Sequence, residues 1–223
     1  FHGTHVSGIL AARGNNGLGV SGVSPQAKVI ACKFIASNGS GTLADALTCL
    51  DYVLDLKTRS QNPVDVIATN NSWGGLPFTR ALHEAIAAQQ EAGILFVAAA
   101  GNSASNNDAV AFYPAGHFLP NVLAVASTDH LDALSSFSSF GRRTVHVAAP
   151  GSSILSTFLN DGYVPVSGTS MAAPHVTGLL GLLKAQDPAR DWRALRNLAL
   201  TGGTDLPVLS GSTVTGRRMR AAD

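Results

Sequence analysis

Apolar residues recur at three- and four-residue spacing from Leu43 to Leu56, which predicts a helix with one buried face. A continuous β-type run, Lys28 to Ile35, precedes it. Val64–Thr69, Ile94–Ala99, Asn121–Ser127 and Thr144–Ala149 are further short apolar runs of strand length. Between and around them lie helical segments at His2 to Ala12, Thr79 to Ala92, Ser170 to Ala185 and Arg190 to Leu200. Residues 14–25 form a Gly/Asn-rich loop closed by Pro25. Apolar strands separated by helices predict an α/β fold: a three-layer α/β/α arrangement around a mostly parallel central sheet covered on both faces. In such sheets ligands sit at the carboxyl ends of the strands.

Composition narrows the class. The 223 residues are 45% hydrophobic and carry a net charge of +1. That is enough chain for one sizeable domain with its own core. No basic or acidic run points to nucleic acid or to an anionic membrane surface. No stretch of 18 apolar residues predicts a membrane span. Arg217, Arg218 and Arg220 read as a solvated tail. Cys32 and Cys49 either pair across a strand and its following helix or stay as two buried thiols. The chain opens on Phe1 in the middle of a motif, so an upstream segment is expected, and a signal peptide cannot be read from these residues.

Candidate chemistry falls at the expected sheet edge. Ser170 opens a helix after Gly168, with Ala172 and Ala173 leaving room around its hydroxyl. Pro174 suits the first helical turn, where backbone N–H groups lack intrahelical partners. The helix N-terminus presents positive potential where an anion forms at Ser170. A serine hydroxyl needs a base, and His2 offers an imidazole at the start of another helix. Asn102 follows the strand ending at Ala99 and offers an amide donor. Gly17-Leu18-Gly19-Val20-Ser21-Gly22 matches a dinucleotide-binding pattern but lies after a helix and before a strand, the wrong context for one. The His2–His5 spacing lacks further metal ligands.

Together these strings identify a resemblance. His2-Gly3-Thr4-His5-Val6-Ser7-Gly8, Asn71-Ser72-Trp73-Gly74-Gly75, Ala100-Gly101-Asn102 and Ser167 to Pro174 resemble, in order, motifs of the subtilisin-like serine peptidases. The resemblance implies a single catalytic domain over 1–223, incomplete at its N-terminus, with 201–223 a peripheral segment. It implies a secreted endopeptidase working through an acyl-enzyme. Ser170 would be the nucleophile and His2 the general base. Asn102 and the Ser170 N–H would hold the oxyanion. Ser72, Trp73 and Gly74 would wall the first specificity pocket on one side, and Ala99, Ala100 and Gly101 on the other. Gly39, Ser40 and Gly41 would pair with an extended polypeptide substrate. An inhibitory propeptide is an implied partner.

The family's triad aspartate precedes its histidine, and no Asp of this chain fits the role; Asp161 sits in a turn context. This polypeptide is therefore expected to be poorly active by itself. The alternative is a peptide-binding protein of the same fold without catalysis. An esterase with a nucleophile elbow at Ser170 requires an acid and then a His after the serine, and only His175 follows. Phe112, before Tyr113-Pro114, falls at the floor of the first pocket by resemblance and would make it shallow. The loop with Asn16 resembles a calcium loop, with the carbonyls of Gly14, Leu18 and Val20 as further ligands. The chemistry itself requires no cofactor.

Overall fold

The computed structural model describes residues 1–221. Its elements follow the alternating pattern: helices α1 (His2–Ala11) and α2 (Leu43–Thr58), strand β1 (Ala68–Asn71), helix α3 (Arg80–Glu91), then β2 (Leu95–Ala99), β3 (Val122–Thr128) and β4 (Val147–Pro150). A hairpin, β5 (Ile154–Thr157) and β6 (Tyr163–Val166), leads into α4 (Thr169–Gln186) and α5 (Trp192–Thr201), and two short strands, β7 (Thr204–Asp205) and β8 (Arg217–Arg218), follow. The main sheet has the order β1-β2-β3-β4-β8-β7 and is parallel throughout except for the β7–β8 pair.

Alternation along one strand shows how the layers form. Leu95, Val97 and Ala99 pack with α4 and α5 residues such as Val176, Leu180 and Leu195. Phe96 and Ala98 of the same strand pack on the other face with Leu50, Leu82 and Ile86 of α2 and α3. β2, β3 and β4 are thus buried on both faces beneath two helical layers, as the continuous apolar runs require. Thr42 and Thr79 cap α2 and α3 by accepting from backbone N–H groups three residues on.

Helices α1 and α4 lie unusually close. A methyl group on Gly178 of α4 would sit 2.7 Å from Val23 Cβ and 3.3 Å from the Leu10 carbonyl. Seven residues earlier, Met171 packs with Val6 and Ile9. Contacts therefore advance along both helices in the same direction, which makes them roughly parallel. His2 and Ser170 each lie in the first turn of their helix.

Three expectations change. Lys28–Ile35 forms no strand: residues 28–33 are exposed and join no ladder among the described residues, and Val29 and Ile30 lie open to solvent. The run has β propensity, but a strand also needs a backbone partner. Cys32 and Cys49 are bonded to each other, with Cα atoms 5.9 Å apart, rather than buried as free thiols. The arginines near the end are not a solvated tail. β8 pairs with β4, Met219 is buried, and Arg218 meets Asp132 at 2.6 Å. β8 and β7 thus add two short strands to the edge of the main sheet.

The disulfide ties the exposed 28–33 run to α2 and closes a loop with a sequence separation of 17. Replacing both cysteines by serine should lower the unfolding free energy by about 3 kcal/mol. A denaturant titration that shows no change would place this loop's order elsewhere.

Candidate active site

The carboxyl ends of β1 and β2 deliver Ser72 and Asn102 toward the start of α4. Ser72 Oγ donates to the Ser170 carbonyl (2.8 Å), and Ser170 Oγ donates to the Ser72 carbonyl (3.3 Å). Ser72 is itself held by Asn70 Nδ2 (2.9 Å), whose Oδ1 accepts from Thr177 on α4 (3.0 Å). The polar end of β1 is thereby stitched to α4.

Thr169 fixes Asn102. Its backbone N–H (2.8 Å) and its Oγ1 (2.9 Å) both donate to Asn102 Oδ1. The same Oγ1 accepts from the Gly101 N–H (3.1 Å), and Thr169 is completely buried. With its oxygen occupied twice, the Asn102 amide has only its N–H₂ left to offer outward. The position a Cβ on Gly168 would take is 3.6 Å from Asn102 Nδ2 and 3.7 Å from the Ser170 nitrogen. Two donors therefore converge beside Ser170, one of them at a helix N-terminus. Such a pair can stabilise a localised negative charge.

His2 is the first residue of α1 and is half-buried. Burial, then the charge of neighbouring His5 and of the terminal amino group, lower its pKa from the ordinary histidine value. Among the described residues no carboxylate pairs with it. His2 makes no hydrogen bond to Ser170, whose hydroxyl is turned toward the Ser72 carbonyl. Among the described residues no hydrogen bond orients the His2 imidazole. His5 is fully buried, with Nε2 3.0 Å from the Val164 carbonyl. His175 Nδ1 is tied to the Met171 carbonyl of its own helix at 2.8 Å, so it does not serve Ser170. Asp161 is exposed in the β5–β6 turn.

Phe112 lies between the walls expected for a pocket. A Cβ on Gly74 would come within 2.5 Å of Phe112 Cε1, and one on Gly101 within 3.4 Å of Cδ1. Gly101 also has φ +109°, a region that favours glycine. The ring thus fills the space between the two segments. The Ala99 and Ala100 side chains belong to core clusters, and the Ala100 carbonyl accepts from Asn107 (2.8 Å). Trp73 donates from Nε1 to Asn71 (3.1 Å) and meets Phe34 edge-on at 5.4 Å. Phe34 in turn underlies Gly41, which brings the exposed turn Gly39-Ser40-Gly41 toward Trp73.

The loop holding Asn16 fits a calcium ion poorly. Asn16 Oδ1 already accepts from the Leu18 N–H (3.1 Å), and the loop supplies only neutral oxygens. Among the described residues no group of three or more His, Cys, Asp or Glu is placed to hold a metal.

A family model described as "Subtilase family" matches residues 1–215. The chain belongs to the subtilase family. It is 40% identical over 188 residues to the minor extracellular protease Epr of Bacillus subtilis, covering 84% of this chain and 27% of that protein. It is 41% identical over 185 residues to thermitase of Thermoactinomyces vulgaris, covering 83% of this chain and 61% of that one. The crystal structure of a cold adapted subtilisin-like serine proteinase superposes with a TM-score of 0.85 at 30% identity, covering 100% of this chain and 75% of that one. The chain thus spans 27% to 61% of the length of these two curated relatives.

The residues that sequence reasoning did not single out as functional are Thr169 and Asn70. Both lie inside strings read for their neighbours, and their roles depend on partners 67 and 107 positions away. A titration followed by imidazole proton resonances should give His2 a midpoint below the ordinary 6.5. A midpoint at or above that value would reveal an anionic partner.

Proposed function

We propose that the chain is the catalytic part of a serine endopeptidase in which Ser170 attacks the scissile carbonyl and His2 takes and returns its proton. The observation that carries this reading is the convergence of Asn102 Nδ2 and the Ser170 N–H beside the Ser170 side chain. As the acyl-enzyme forms, the carbonyl oxygen gains charge, and these two donors meet it. One such donor typically contributes about 3–4 kcal/mol to the transition state. Thr169 acts as a positioning residue, because it stops the Asn102 amide from turning its oxygen toward that charge.

The substrate on this reading is an extended polypeptide lying between the Gly39–Gly41 turn and the Ser72–Gly74 segment. Backbone pairing supplies affinity there. The protein is proposed to be secreted. The Cys32–Cys49 bond suits an oxidising compartment, and one relative is named an extracellular protease. The chemistry uses side chains and backbone donors alone.

His2 lacks a carboxylate partner among the described residues, so the chain as it stands should hydrolyse peptides slowly. Preceding it with a strand that places an aspartate behind His2 should raise turnover on the order of 10⁴-fold. No gain in hydrolysis would favour the alternative reading, a peptide-binding member of the family without catalysis. A fluorophosphonate reagent gives a second readout: mass spectrometry should find the adduct on Ser170, and Ser170→Ala should remove it.

The acid limb of kcat/KM follows the base. His2 works when neutral, so its lowered pKa keeps it competent below pH 6.5. The limb should therefore fall at a more acidic pH than for an ordinary histidine.

Phe112 sets the pocket's depth. With its ring against Gly74 and Gly101, small and medium apolar side chains should be preferred at the first subsite. Phe112→Gly in the active enzyme should raise kcat/KM on large aromatic side chains at least tenfold relative to alanine. Equal selectivity in both forms would remove Phe112 from this role.

A further inference from the structure

The turn proposed to pair with substrate, Gly39-Ser40-Gly41, lies inside the loop that the Cys32–Cys49 bond closes. Its two limbs are held differently. The outgoing limb enters α2, where Thr42 caps the first turn and Leu50, next to Cys49, is buried in one cluster with Leu82 and Phe96. The incoming limb has no such anchor. Residues 28–33 are exposed, and among the described residues no backbone hydrogen bond joins 28–35 to another segment.

The turn itself is stiff. The Ala36 N–H donates to the Ser40 carbonyl (2.8 Å), the Gly39 N–H to the Ala36 carbonyl (3.0 Å), and the Ser40 N–H to Asn38 Oδ1 (3.0 Å). All three bonds lie within the turn, so they fix its shape and not its place. On the incoming side its place depends on Phe34, edge-on to Trp73, and on the covalent bond two residues earlier at Cys32.

We propose that the Cys32–Cys49 disulfide is a positioning element for the polypeptide site: it holds the Gly39–Gly41 turn in place beside Trp73, and the dithiol form binds extended polypeptides less tightly. The proposal rests on the reading of that turn as the substrate's pairing partner. Its physical basis is preorganisation. A crosslink across a loop removes conformations that the chain otherwise explores. Without it the turn sits on a limb tethered by one ring contact, and an extended substrate must order that limb on binding. Backbone pairing is sensitive to this, because it needs donors and acceptors in register. Ser170 and Asn102 are held by Ser72 and Thr169 instead, so they do not share the dependence.

The bond is open to thiol exchange. Cys32 is exposed and Cys49 is half-buried. The thiolate of a small dithiol attacks the Cys32 sulfur, and the electron pair of the S–S bond leaves on Cys49. The second thiol of the reagent then displaces Cys32. The protein gains two electrons and two protons, and the reagent departs as its cyclic disulfide.

Binding of a fluorescein-labelled extended peptide to the full chain, followed by anisotropy before and after reduction with dithiothreitol, tests the proposal. Reduction should raise the dissociation constant on the order of tenfold. Cys32→Ser combined with Cys49→Ser should match the reduced form without added thiol. A small fluorophosphonate with no peptide portion should label Ser170 at the same rate in all three forms. Equal peptide affinity in the disulfide and reduced forms overturns the proposal. So does the joint loss of peptide binding and labelling, the result expected if the bond serves only to keep the chain folded. A disulfide form that does not bind the peptide also overturns it. Failure of the small reagent to label Ser170 in any form counts against the peptidase reading alone; peptide affinity, with far-UV circular dichroism to check folding, then decides this proposal.

Discussion

Two helices start side by side in this protein because their backbones nearly touch. Gly178 of α4 leaves no room for a methyl group between Leu10 and Val23, so α1 and α4 run closer than larger side chains permit. The first turns of the two helices hold His2 and Ser170, which are 168 positions apart in sequence. The Ser72–Ser170 reciprocal hydrogen bonds and the two Thr169–Asn102 hydrogen bonds all anchor on the first turn of α4.

The electrostatic arrangement follows from the same layout. The first turn of α4 offers unsatisfied N–H groups, and Asn102 is prevented from rotating by two hydrogen bonds to its oxygen. Donors fixed before the reaction need no reorganisation during it. The imidazole is handled differently. It sits half-buried, and among the described residues no carboxylate pairs with it.

The pocket region shows a second coupling. Phe112 occupies space that Gly74 and Gly101 leave open, while the turn behind it continues to Tyr113 and His117. Substrate selection and the hydrogen-bonded His83–His117 pair therefore share one short stretch of backbone. Backbone hydrogen bonds from Gly116 to Phe112, from His117 to Pro114 and from Gly75 to Tyr113 hold it.

Much of this was legible in the residues themselves. Continuous apolar runs at 94–99, 121–127 and 144–149 determined strands buried on both faces, because only sealed parallel strands tolerate such composition. The order of the His2, Asn102 and Ser170 strings determined the family and the candidate roles. What sequence alone left open depends on partners far away. Lys28–Ile35 has the local composition of a strand, yet residues 28–33 are exposed and join no ladder among the described residues. Arg217 and Arg218 have the composition of a tail, yet pair beside β4 because that edge is open and Asp132 is near. The Cys32–Cys49 bond, the Thr169 clamp and the His83–His117 pair were likewise decided only by tertiary structure. Each is a distance between atoms, and local propensity carries no information about which distant residue arrives there.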